Sequence, residues 1–209
     1  DILQHREDGI LTLTFNRLDK KNAITRAMYN ALADAMFAAA EDAAVRVVVL
    51  QGHEQVFTAG NDLADFLQNP PDMSNPDAEP APVVRFLEAL RTFPKPLLAA
   101  VAGPAVGIGT TLLLHCALVY AADNAAFSLP FVNLGVCPEA GASLLLPALV
   151  GYPRAAEKLM LGEPFYAEEA VEMGLVNRLL PPGEVNAHTQ AQAAKLAAKP
   201  MASLAATKA

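Results

Sequence analysis

Residues 96–122, PLLAAVAGPAVGIGTTLLLHCALVYAA, contain no aspartate, glutamate, lysine or arginine. A run of that length either crosses a membrane or lies in the middle of a protein core. Gly103-Pro104 and the glycines at 107 and 109 break it at its centre, where a spanning helix would be continuous. It therefore reads as a buried strand (96–103), a glycine turn, a buried helix (108–116) and a second buried strand. VRVVVLQG at 45–52 is another continuous β-branched strand. Apolar strands that alternate with helices are buried on both faces, which predicts an α/β fold.

The rest of the chain fits that pattern. GILTLTF (9–15) alternates apolar and polar residues, as a half-buried strand does. Thr25 can cap a helix over 26–42 with Met28, Leu32, Ala35, Met36 and Ala39 on one face. LVYAADNAAFSL (118–129) reads as two short strands around an Asp-Asn turn. Further helices are expected at 83–92, 139–149, 154–161, 167–173 and 184–198. Residues 69–82, NPPDMSNPDAEPAP, are proline-rich and aperiodic, a surface loop that is either an idle insertion or a lid. A chain of 209 residues, 53% hydrophobic, suits one sizeable domain or a domain with an appendage.

Charge and cysteine usage exclude several function classes. With 15 Lys+Arg against 22 Asp+Glu, net charge −7, no basic face can be assembled, so nucleic acid and anionic membranes are not expected partners. An anionic small molecule would be held by helix N-termini, backbone N–H groups and a few placed lysines or arginines. Cys116 and Cys137 have no CxxC spacing, which argues against a disulfide scaffold and a zinc site and for a reducing cytoplasm. The histidines at 5, 53, 115 and 188 cluster with nothing, and no metal site is expected. The polar start, DILQHREDG, shows no signal peptide.

Between Asp123 and Arg154 the only charged side chain is Glu139, in NLGVCPEAGASLLLP. A carboxylate is costly to bury unless paired or hydrogen-bonded. The plain alternative is a solvated acid in the first helical turn after Pro138, where the helix dipole favours it. Two glycine turns accompany it, FTAGNDL (57–63) and GPAVGIG (103–109). Gly60 and Gly107 let the backbone approach a ligand, and both turns can leave N–H groups unpaired. Such groups at Asn61 and Ile108 would form an oxyanion hole, the second of them at a helix start. Either turn alone is also what any connection looks like.

In combination these segments resemble the crotonase (enoyl-CoA hydratase/isomerase) superfamily. The resemblance is carried by NRLDKKNAI, FTAGNDL, PKPLLAAVAGPAVGIG, LVYAADNAAFSLPFVNLGVCPEAGAS and AVEMGLVNRLLP, in order across nearly the whole chain. It implies a spiral of ββα units over 1–183, followed at 184–209 by the start of a C-terminal helical region. That region reads as incomplete, since relatives continue through further helices beyond SLAATKA. The family also implies assembly as a homotrimer or hexamer and an acyl-CoA thioester as substrate. Coenzyme A is then part of the substrate, and no separate cofactor is implied. The thioester oxygen falls on the amides of Asn61 and Ile108. Ala59, Gly60, Asn61, Asp62 and Leu63 are implied as substrate contacts. Lys21, with Arg17, Lys20 and Arg26, is placed near the CoA nucleotide, a merely solvated basic turn being the alternative. Phe66, Leu67 and Phe131 are candidates for the acyl pocket.

The family's hydratases use two glutamates to hold and activate water. The matching positions here are Thr111 and Phe131, and neither exchanges a proton near neutral pH. Glu139 matches the acid of the peroxisomal-type Δ3,Δ2-enoyl-CoA isomerases. The resemblance thus implies an isomerase in which Glu139 takes a proton from C2 of a 3-enoyl thioester and returns it at C4. An apolar pocket would raise the acid's pKa, while a helix starting near it would act oppositely. Two alternatives stay open: a hydratase or other enolate-forming crotonase, and a non-catalytic module that binds CoA or partner proteins. Cys137, two residues before Glu139, has no histidine partner in sight. Cytoplasm is the default compartment, with a peroxisomal address open.

Overall fold

The two most apolar strands, β3 (Val47–Gln51) and β4 (Leu97–Val101), pair in parallel at the centre of a six-stranded sheet. The computed structural model describes residues 1–68 and 79–208. Sheet order is β1 (Ile2–Glu7), β2 (Ile10–Phe15), β3, β4, β6 (Leu118–Ala122) and β9 (Arg178–Leu180). All neighbours are parallel except β1 and β2, a hairpin turned by Asp8 and Gly9 with φ of 48° and 78°. Two positive φ values are what a tight hairpin with the native twist requires, and Asp-Gly supplies them. The polar edge strand β1 was not anticipated, because nearly every side chain in it is exposed and no alternation shows.

A second, smaller sheet consists of β5 (Pro104–Val106), β7 (Ala126–Ser128) and β8 (Phe165–Tyr166). Twice the chain places one strand in the large sheet and the next in the small one before entering a helix. β4 leads to β5 and α4 (Ile108–Thr111), and β6 leads to β7 and the helices after it. Isolated bridges Thr58↔Ala105 and Ile24↔Asn61 extend the small layer, so it runs from residue 24 across both glycine turns.

Helices cover both faces of the large sheet. α1 (Arg26–Glu41) is capped by Thr25, whose Oγ1 accepts the Met28 N–H at 3.3 Å, and its face of Met28, Leu32, Ala35, Met36 and Ala39 is buried. It packs with α3 (Pro82–Thr92) in the main core, which also holds Phe15, Leu50, Phe57 and Phe86. On the other face, α8 (Val185–Ala197) sets Ala193 and Ala197 against Ile10, Val47, Val49 and Leu98. That double coverage explains the continuous apolar strands. α9 (Met201–Lys208) follows, with Lys208 Nζ donating to the Phe93 and Lys95 carbonyls at 2.7 Å each.

Two expected helices are corrected. The one at 108–116 is α4 followed by a 3₁₀ turn over Leu112–His115. The one at 139–149 is α5 (Ala142–Val150), because Ala140 and Gly141 both adopt left-handed φ, 52° and 66°, and delay helix entry. Glu139 therefore precedes the helix and is not in its first turn. α2 (Leu63–Gln68) was not expected, while α6 (Tyr152–Leu161) and α7 (Ala167–Glu172) lie where the periodicity placed helices. Most of the proline-rich stretch 69–82 lies outside the described residues, and Pro82 opens α3. Among the described residues no helix is long and apolar enough to cross a membrane.

Candidate active site

The two glycine turns are locked side by side. Thr58 donates its N–H to the Pro104 carbonyl, and Val106 donates to Thr58, both at 3.0 Å. On the other flank, Ile24 N–H donates to the Gly60 carbonyl at 2.8 Å, Asp62 N–H to Ile24 at 3.0 Å and Ala59 N–H to Lys21 at 2.9 Å. Residues 57–62 thus run in extended form between 21–24, bonded to 59–62, and 104–106, bonded to 57 and 58. Gly60 has φ of 85°, and a Cβ there would lie 2.7 Å from the Val106 carbonyl oxygen. Only glycine permits both the conformation and the approach.

This arrangement leaves two amide donors over. Asn61 faces away from Ile24, which bonds to its neighbours, and Ile108 is the first residue of α4, where helix N–H groups have no intrahelical acceptor. Among the described residues neither the Asn61 nor the Ile108 N–H has an acceptor. Gly107 turns the chain into α4 at φ of 55° and ψ of −114°. Its carbonyl accepts the Thr110 and Thr111 N–H groups, at 2.9 and 3.0 Å.

Glu139 meets the same helix. Thr111 Oγ1 donates to Glu139 Oε1 at 2.6 Å, and Thr111 lies one turn of α4 after Ile108. Glu139 Oε2 is buried and has no hydrogen-bond partner among the described residues. Burial pushes the carboxyl up to about 7, with the Thr111 bond pulling the other way. The solvated-acid alternative is overturned by that burial. The opposing helix dipole also drops out, because α5 starts three residues later. His115 Nε2 lies 2.8 Å from the Ala140 carbonyl and ties the acid's loop to the 3₁₀ turn after α4.

Tyr29, on the buried face of α1, was missed in the sequence. Its hydroxyl donates to Asn61 Oδ1, and its ring packs against Phe86 at 5.6 Å between centroids. Burial, and secondarily the Glu139 charge, hold the phenol well above its ordinary pKa. The available signal was a tyrosine on an apolar face, whose hydroxyl must find a partner.

The remaining sequence-predicted residues divide. Arg17 is committed internally: its Nη1 donates to Asp62 at 2.7 Å and to the Ala23 carbonyl at 2.9 Å. Asp62 Oδ1 in turn accepts the Asp65 N–H at 3.1 Å at the start of α2. Lys20 and Lys21 are exposed, and Lys21 adopts a left-handed φ of 51°. Arg26 donates its N–H to Asp65 at 2.6 Å. Leu63 is exposed at the start of α2. Phe66 joins Ile24, Tyr29, Asn61 and Val83 around a cavity of about 30 Å³ while remaining partly exposed, and Leu67 is exposed outside it. Phe131 is buried, and a Cβ on Gly107 would stand 3.9 Å from its ring tip. Cys137 is free and exposed. Among the described residues no cluster of His, Cys, Asp or Glu could hold a metal. A larger apolar groove of about 980 Å³, lined by Leu87, His115, Ala140, Leu144 and Leu204, passes beside the site without including Glu139.

A carboxyl near neutrality, held by Thr111 one helical turn after the Ile108 amide, suits proton abstraction next to a carbonyl whose oxygen those donors can receive. Comparison with known proteins gives the family. Residues 5–209 match the family model described as enoyl-CoA hydratase/isomerase. The chain is 42% identical to enoyl-CoA delta isomerase 2 of Rattus norvegicus over 86% of its own length and 46% of the relative's. It is 35% identical to 2,3-dehydroadipyl-CoA hydratase of Escherichia coli K12, over 87% and 69%. The chain spans about half the length of the mammalian isomerases it matches. A crystal structure of an enoyl-CoA hydratase/isomerase from Pseudoalteromonas atlantica T6c superimposes with a TM-score of 0.93 at 38% identity, covering 99% of this chain and 80% of that one. By sequence and by fold, the chain belongs to the enoyl-CoA hydratase/isomerase (crotonase) family.

Proposed function

We propose that the chain is a Δ3,Δ2-enoyl-CoA isomerase, with Glu139 as the single acid–base residue and the Asn61 and Ile108 amides as its oxyanion hole. The carrying observation is Glu139 itself. One oxygen is held by Thr111, the other is buried without a partner, and the pKa lies near 7. The free oxygen removes a proton from C2 of a 3-enoyl thioester. Electrons move into a dienolate, whose negative charge falls on the thioester oxygen between the two amides. The protonated acid then delivers the proton to C4 on the same face. The double bond moves to C2–C3, and Glu139 ends as it began.

A hydratase of this family would place its two glutamates at 111 and 131. Thr111 is instead spent on orienting Glu139, and Phe131 is a buried ring. The isomerase relatives from rat, mouse and human, at 42%, 39% and 41% identity, support the same reading. The reaction needs no metal and no redox cofactor, since a proton is the only species moved. In this reading residues 59–63, with Lys21 exposed beside them, receive the CoA portion, and Phe131 borders the acyl group. The division into a spiral core over 1–183 and a helical region from 184 belongs to the same proposal. So does homotrimeric or hexameric assembly, supported by the exposed Leu144, Leu149, Tyr152, Met160 and Leu161 on α5 and α6. Free cysteines at 116 and 137 favour a reducing compartment, the cytoplasm, with the peroxisome as the alternative.

The test is product analysis after incubation with a 3-enoyl-CoA. Isomerisation yields the conjugated thioester at unchanged mass. A product heavier by one water would favour the hydratase, and binding without conversion would favour the non-catalytic module.

A further inference from the structure

We propose that Tyr29 is a positioning residue, its hydroxyl fixing through the Asn61 side chain the direction in which the Asn61 N–H meets the thioester oxygen. This rests on the oxyanion reading above and deepens it. The peptide that carries the Asn61 N–H is pinned at its carbonyl end, where Gly60 accepts from Ile24 at 2.8 Å. The flanking peptides are held too, Gly60 N–H by Thr58 Oγ1 at 3.1 Å and Asp62 N–H by the Ile24 carbonyl at 3.0 Å, so what stays untied is the outer side of the loop, which carries the Asn61 N–H and side chain. The bridge to Ile24 runs through the Gly60 carbonyl and the Asp62 N–H, so it uses neither polar backbone group of Asn61. Among the described residues the one hydrogen bond Asn61 makes is to Tyr29. That bond ties the outer side of the loop to α1.

Tyr29 is suited to the task by where it stands. It lies on α1, a helix capped by Thr25 and buried along the face that carries Tyr29, and its ring is set by Phe86. The phenol is 4% exposed, so its O–H has to have an acceptor. Asn61 Oδ1 is the acceptor it has. With the phenol as donor, Asn61 Oδ1 faces it and Nδ2 is turned elsewhere. The position of a solvent-facing loop residue is thereby inherited from the hydrophobic core. Small misplacements of a donor are expensive for a developing charge, which is the reason to anchor it.

The experiment compares wild type, Tyr29→Phe, Asn61→Ala and the double variant, all checked for fold by circular dichroism. Phenylalanine keeps the ring and removes only the hydroxyl, and Asn61 is exposed, so both single variants are conservative. The first readout needs no turnover: the absorption of bound 2,4-dienoyl-CoA, which moves to longer wavelength when amide donors polarise its carbonyl. The second is kcat and KM on a 3-enoyl-CoA across pH. Tyr29→Phe is expected to shrink the spectral shift and lower kcat about five- to twentyfold, with KM changing less than about twofold. Its acid limb should stay near pH 7, because the base is untouched. In the Asn61→Ala background Tyr29→Phe should have no further effect, since the hydroxyl acts through that side chain. A full spectral shift with wild-type kcat in Tyr29→Phe, or multiplicative losses in the double variant, would overturn the proposal. Bound dienoyl-CoA without any shift in the wild type would instead bring down the oxyanion reading itself.

Discussion

Thr111 holds one oxygen of Glu139 at 2.6 Å and leaves the other buried without a partner. The hydroxyl stands where a hydratase would carry its first acid, and here it orients and acidifies the acid that is present. Replacing Thr111 by valine keeps the shape and removes the donor. Glu139 should then titrate higher still, because the one influence lowering its pKa is lost. The acidic limb of kcat/KM should move up by roughly one pH unit or less. Activity should fall several-fold at pH 7 and largely recover at pH 8.5. A pH-independent loss would mean that Thr111 serves packing instead.

Activity itself should rise with pH to a plateau, half-maximal near pH 7, because the base works ionised. Stability should run the other way. Below the unfolded value of 4.5, Glu139 is protonated in both states. Between 4.5 and about 7 the unfolded chain releases the proton while the folded chain retains it, so folding loses stability as pH rises. The loss is complete above about 7 and is on the order of 3 kcal/mol at most. Glu139→Gln lacks this penalty. Its Tm relative to wild type should therefore improve between pH 5 and pH 8, as measured by thermal melts in matched buffers.

Gly60→Ala should be far more damaging than Gly135→Ala. Both glycines have positive φ, 85° and 70°, but a Cβ at 60 would lie 2.7 Å from the Val106 carbonyl, while at 135 it meets nothing within 4 Å. The Gly135 variant carries only backbone strain, about 1 kcal/mol. The Gly60 variant adds displacement of the two loops, for a total of about 3 kcal/mol or more and a Tm lower by about 6–12 °C. Its turnover should drop at least about tenfold, since the Asn61 amide moves with the loop. Melting curves and initial rates on the two variants check both statements.

Much of this site could be read before any coordinates, and the physical reasons are specific. The buried parallel strands show because nothing polar interrupts them, as in VRVVVL and PLLAAVAG. The glycine turns and Glu139 show because each stands against its surroundings. Edge strand β1 was hidden by polar, exposed side chains, the usual protection of a sheet edge. β5 and β8 are too short, at three and two residues, to display a period. The late start of α5 depends on Ala140 at φ of 52°, a conformation that alanine gives no sign of adopting. Tyr29 was passed over because an apolar helical face explains an aromatic residue without reference to its hydroxyl. The commitment of Arg17 to Asp62, 45 positions away, depends on how two loops meet in space, which local pattern does not encode.

The central claim is that one carboxyl carries the proton from C2 to C4, and the most direct measurement uses a 3-enoyl-CoA deuterated at C2. Wild type and Glu139→Gln are compared for turnover and for the label's position in the conjugated product. The expected result is measurable label at C4 with wild type, and turnover at least about a hundredfold slower in Glu139→Gln with acyl-CoA binding retained. Equal turnover in the two proteins would contradict the account and move the base elsewhere.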